Sequence, residues 1–126
     1  MNAERTAGSH VLDPEAIRSL TELVGNDPEA LVEIIDAFLD EAPQRLAELR
    51  QGIGDDDPVL AGRAAHTLKA NGRTFGAERL ALLGQEIEAA ARESDLTTVL
   101  PRIDEVGAAW IEVRNELVAL RDGARR

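Results

Sequence analysis

Three times in this chain an aspartate is followed directly by a proline: Asp13–Pro14, Asp27–Pro28 and Asp57–Pro58. An aspartate side chain accepts from the free N–H groups of a helix's first turn, and proline lacks the N–H that would be orphaned there. Each pair therefore marks a helix start, and apolar residues at steps of three and four follow each one. The first, short helix carries Ile17, Leu20, Leu23 and Val24 and stops at Gly25. The second carries Leu31, Ile34, Ile35, Phe38, Leu39, Ala42, Leu46 and Leu49. Pro43 lies inside that pattern and kinks the helix without ending it, because the apolar phase continues past it. "QGIGDDDP" at 51–58 reads as a turn.

The third helix sets Leu60, Ala64, Leu68, Asn71 and Phe75 on one face, with Ala65, Gly72 and Gly76 beside it, and ends at Gly76. A fourth runs from about Ala77 to Arg92 with Leu80, Leu83, Ile87 and Ala91 inward, and "ESDL" turns the chain. The fifth shows a 3.5-residue seam of Val99, Ile103, Val106, Trp110, Val113, Leu117 and Leu120, with Pro101 in its first turn and "RDGARR" fraying at its end. No stretch alternates as a strand would. Short turns between long amphipathic helices predict an all-α protein, an antiparallel up-and-down four-helix bundle with a short extra N-terminal helix. Residues 1–10, including His10, read as a flexible tail without a role, and 11–122 as the bundle domain.

Charge and composition narrow the function. A net charge of −10 argues against nucleic acid and anionic membrane as ligands, since both need a basic footprint. Phe38, Phe75 and Trp110 are the whole aromatic content, too little for a base-stacking or sugar-stacking surface. The absence of cysteine removes disulfides, thiolate metal sites and cysteine nucleophiles, and fits a reducing compartment. No apolar run is long enough to span a bilayer and the N-terminus is not of signal-peptide type, so the reading is a cytoplasmic protein.

Against that acidic background one flank of the third helix is cationic. The residues sharing the side of His66 are Gly62, Arg63, Lys69, Ala70 and Arg73. The imidazole falls outside the apolar face and is expected to be exposed. Glycine inside a helix costs roughly 1 kcal/mol against alanine, so Gly62 and Gly72 imply that something approaches the backbone closely. Cations around an exposed ring suit an anion carried on or near that ring, and a phosphoryl group bonded to a ring nitrogen is the natural candidate. Gly62, Ala65, Ala70 and Gly72 are expected to leave room for a docking partner. A dimetal bundle site would want Glu-x-x-His pairs, and Arg63 stands where the glutamate would be, so no metal is expected. No glycine-rich loop follows a strand, so no ATP site is expected either.

"HTLKANGRTFGA", His66 to Ala77, resembles the central motif of histidine-containing phosphotransfer (HPt) domains: His-x-Leu-Lys-Gly, then small residues, an apolar residue and Gly-Ala. "FLDEAPQRLAEL" from Phe38 and "LALLGQEIEAAAR" resemble the helices on either side of it in that family, so the resemblance covers most of the chain. It implies a phosphorelay intermediate. His66 would take a phosphoryl group from a receiver-domain aspartate and pass it to another receiver, with Lys69 balancing phosphate charge and Gly76 closing the helix. Glu88 would orient the imidazole, and Arg63 and Arg73 would add electrostatic support. The implied partners are response-regulator receiver domains and a hybrid histidine kinase. Magnesium would reside in the receiver, the chain would hold no cofactor of its own, and it would act as a monomer. Two alternatives remain open: a phosphoacceptor module loaded by a separate chemotaxis-type kinase, and a non-phosphorylated bundle that only binds a receiver or kinase. Ala70 departs from the family's glycine, and Asn71 from its usual small residue.

Overall fold

A computed structural model describes residues 11–126, and the expected tail with His10 lies outside the described residues. Among the described residues five α-helices follow one another: α1 (Pro14–Leu23), α2 (Pro28–Gly54), α3 (Pro58–Thr74), α4 (Glu78–Arg92) and α5 (Arg102–Ala124). A single 3-10 turn, Thr97–Val99, lies between α4 and α5. The described residues contain no strand. The three Asp-Pro pairs act as predicted. The side chain of Asp13 accepts from Glu15 N, that of Asp27 from Glu29 N and that of Asp57 from Leu60 N.

Four helices close a ring: α2 packs on α3, α3 on α4, α4 on α5, and α5 back on α2. Helix α1 lies across α2 and α3. It is tied there where Asp13 N donates to Gly76 O at 2.9 Å. Gly76 ends α3 with φ +68, and a Cβ at this position would come within 2.6 Å of Asp13 Cβ. Positive φ and the close neighbour both demand glycine. Inside the ring, the Phe38 ring stacks on Phe75 at 5.1 Å and meets the Trp110 edge at 5.3 Å. One aromatic cluster thus joins α2, the end of α3 and α5. Ile35, Leu49, Leu68, Leu80, Ile87, Val106, Val113 and Leu117 complete the centre of the core.

The structure departs from the sequence reading at several edges. Helix α2 does not turn at residue 51. It runs to Gly54 because Ile53 extends the buried phase of Leu46 and Leu49, and the turn is confined to Asp55, Asp56 and Asp57. As expected, helix α2 does not end at Pro43. Leu23 is exposed rather than inward, since the stripe of α1 that meets its neighbours is Ile17, Leu20 and Val24. Leu60 is only half-buried, and Ala61 takes the core position beside it. Val99 is buried but belongs to the 3-10 turn, and Pro101 precedes α5 instead of lying in its first turn. The end of α5 is helical to Ala124, past the expected limit at 122, where Arg121 and Arg125 both reach Asp36 on α2. Among the described residues no helix is long and apolar enough to cross a membrane.

Candidate functional site

Helix α3 is buried on two sides. Ala64, Leu68 and Phe75 face the core, and Ala61, Ala65 and Gly72 meet neighbouring helices. What is left outward is the flank holding Arg63, His66, Ala70 and Arg73. The His66 side chain is 62% exposed.

Glycine sets how closely α4 comes to this flank. A Cβ on Gly62 would lie 3.2 Å from Ala91 Cβ, and one on Gly72 would lie 3.2 Å from Ala81 N. On the α4 side, a Cβ at Gly84 would stand 2.9 Å from Ala65 O and 3.2 Å from Lys69 N. The close approach expected from Gly62 and Gly72 therefore exists, but the approaching object is the chain's own α4. Two of the expected docking residues are corrected by this. Ala65 is 0% exposed and Gly72 is buried, so neither can be touched by a partner. Gly62 is half-buried and Ala70 is exposed.

The same proximity brings Glu88 of α4 under the ring. His66 Nδ1 lies 2.7 Å from Glu88 Oε2, and Lys69 Nζ donates to Glu88 Oε1 at 2.5 Å. One carboxylate thus bridges the imidazole and the ammonium. The Lys69 hydrogen bond is the main cause that holds the Glu88 carboxyl below its ordinary value; partial burial opposes it and the His66 bond adds to it. An ionised carboxylate can only accept, so the proton in the contact belongs to Nδ1. In the neutral ring the lone pair then sits on Nε2, the nitrogen facing away from Glu88.

The remaining cations divide. Arg73 Nη2 donates to Gln85 Oε1 at 3.1 Å. Arg63 is exposed and makes no ion pair among the described residues. Arg92, absent from the sequence reading, brings Nη2 to 3.8 Å from Glu88 Oε2, the oxygen already shared with His66. It was available from the sequence as the residue one helical turn beyond Glu88. Gly84 was likewise passed over; a glycine in mid-helix four residues before the key carboxylate was its signal.

The four-helix bundle thus presents one histidine from a cationic flank, buttressed by a carboxylate from the next helix. Residues 33–123 match the family model described as Hpt domain. The phosphorelay protein LuxU of Vibrio vulnificus strain YJ016 is 32% identical over 85 residues, which is 68% of this chain and 72% of that protein. LuxU of strain CMCP6 matches equally. The crystal structure of histidine-containing phosphotransfer protein B (HptB) from Pseudomonas aeruginosa PAO1 shares the fold with a TM-score of 0.80 at 24% identity, over 90% of this chain and 96% of that one. The HPT domain of a sensor hybrid histidine kinase from Shewanella shares it with a TM-score of 0.71 at 18% identity, over 85% and 92%. The chain belongs to the Hpt domain family, the histidine-containing phosphotransfer proteins.

Proposed function

We propose that this protein carries a phosphoryl group on His66 Nε2 between receiver domains of a phosphorelay. The observation that carries the reading is the ring's arrangement: an exposed imidazole whose Nδ1 is held by Glu88, leaving Nε2 outward. The likeness to proteins named phosphorelay protein LuxU supports the relay setting. A receiver domain with an aspartyl phosphate docks over the α3 flank. The Nε2 lone pair attacks phosphorus, the P–O bond to the aspartate breaks, and the carboxylate leaves with its electron pair. The proton stays on Nδ1 throughout, hydrogen-bonded to the Glu88 carboxylate, so no proton has to move in either direction and the step can run in reverse. The positive charge that the ring acquires is met by the Glu88 carboxylate. Lys69 balances charge on the transferring group, and Arg63 and Arg73 supply a positive field toward an acidic partner. Gly62 and Ala70 leave the ring's approach unobstructed.

The magnesium such a transfer uses belongs to the receiver, and so does the acidic pocket around it. The partners are receiver domains, including that of a hybrid kinase. The exposed large apolar residues, Leu23, Val59, Leu82, Leu100 and Ile111, are spread over several elements, which suits a monomer. The lack of cysteine suits the cytoplasm.

The test is transfer from a radiolabelled receiver domain. Acid-labile, base-stable label is expected on the wild-type chain and none on His66→Gln. Label on His66→Gln equal to wild type sinks the assignment.

A further inference from the structure

Glu88 serves two groups at once, and only one of them is the ring. The Lys69 and Glu88 side chains are each 16% exposed, so their contact is partly shielded from water. An ammonium bonded to a carboxylate is not fully available to a second anion. Resting on the reading of His66 as phosphoacceptor, we propose that Glu88 is an electrostatic latch on Lys69. It holds the ammonium away from the phosphoryl position in the unloaded protein and gives it up when the phosphoryl group arrives.

The exchange is favourable in both states. A phosphoryl group brings about two negative charges, more than the single charge of Glu88. Once Lys69 leaves, Glu88 keeps its bond to Nδ1–H and has a second cation at hand. Arg92 Nη2 already stands 3.8 Å from Oε2, on a side chain that is 72% exposed and free to close. Arg63 and Arg73 make no contact with Glu88, and Arg73 is engaged by Gln85. The competition therefore falls on Lys69 alone. Gly84 makes it possible, because only a residue without Cβ lets α4 come down on the Lys69 backbone so that Glu88, one turn later, reaches both partners. The consequence is regulatory. The loaded state must break or share the Lys69–Glu88 pair, so Glu88 weakens the help Lys69 gives and keeps the phosphoryl group transferable.

A double-mutant cycle tests this. Wild type, Lys69→Ala, Glu88→Gln and the double variant are assayed for single-turnover transfer from a phosphorylated receiver. Glutamine keeps an acceptor for Nδ1–H but has no charge to hold Lys69. The factor by which Lys69→Ala slows transfer is expected to be roughly fivefold or more larger in the Glu88→Gln background, a size usual for contacting charges. Equal factors, or a smaller one in that background, overturn the latch. The wild-type protein supplies an independent arm. On loading with phosphoramidate, the nitrogen resonance of Lys69 Nζ is expected to shift as its partner changes, and an unmoved resonance overturns the latch as well. A wild-type chain that takes no label would instead overturn the phosphoacceptor reading itself, so the two failures are distinguishable.

Discussion

Helix α2 meets α5 through large side chains, with Phe38 edge-on to Trp110 and Leu117 fully buried nearby, whereas α3 meets α4 through alanine and glycine. The two pairings do different jobs. On the α2–α5 side, bulky apolar surface removed from water supplies stability. On the α3–α4 side, Gly62, Gly72 and Gly84 each give up roughly 1 kcal/mol of helix propensity. What they gain is distance. The helices come close enough for a short glutamate side chain on one to bond a histidine and a lysine on the other. The site is built on the pair of helices that packs by small residues, and the bulky pair holds that platform in place.

The sharpest way to break this division is Trp110→Ala. The indole is 6% exposed and caps the aromatic cluster, so its truncation is expected to cost about 3–5 kcal/mol. Urea denaturation measures that loss. Transfer to His66, per folded molecule, is expected to stay within about twofold of wild type, since neither the α3–α4 contact nor Glu88 is touched. A parallel collapse of transfer in folded protein would show that the two halves are not separable.

Gly84→Ala should do the reverse. Its Cβ would stand 2.9 Å from the Ala65 carbonyl oxygen, a backbone atom that cannot swing away, so α4 must move off α3. The strain, about 1–3 kcal/mol, offsets the roughly 1 kcal/mol of propensity gained and leaves the protein destabilised by up to about 2 kcal/mol. Transfer is expected to slow as Glu88 is carried away from His66. Gly123→Ala is the matched control, because a Cβ there meets nothing within 4 Å. It should be neutral or slightly stabilising, with unchanged transfer. Were Gly84→Ala as stable and as active as Gly123→Ala, the close approach would have no functional meaning.

The same contrast governs what could be read without a structure. Large apolar residues report their phase, so the inward faces of α2, α4 and α5 followed directly from spacing, as did the Asp-Pro starts. Alanine and glycine carry almost no hydrophobic signal. Spacing therefore puts Leu60 in the core ahead of Ala61, and it leaves Ala65 and Gly72 to a partner although α4 covers them. The exposure of His66 was legible because the ring falls off the apolar stripe. The bridging of Glu88 to Lys69, and the approach of Arg92, depend on how two helices are set against each other, and no single-helix periodicity contains that. The persistence of α5 to Ala124 depends on Asp36, far away in sequence.

The smallest expected effect is also the most specific to the site side of the comparison. The Glu88 carboxyl lies below its usual 4.5, chiefly because Lys69 hydrogen-bonds the charged form, with His66 adding to this and partial burial opposing it. A carboxyl depressed on folding stabilises the protein above its unfolded value, and that contribution is lost as pH falls through the folded value. Glutamine at this position cannot titrate. Wild type should therefore exceed Glu88→Gln in stability at neutral pH by on the order of 1 kcal/mol, the upper end for a partly exposed ion pair. The gap should hold as pH falls toward 4.5 and shrink only below it, as the folded-state carboxyl takes up its proton. Urea titrations of both proteins across an acid pH series measure the gap directly. A gap that does not change with pH would mean that Glu88 stabilises α3–α4 by packing and not by its charge, and the small-residue platform would then serve only to bring surfaces together.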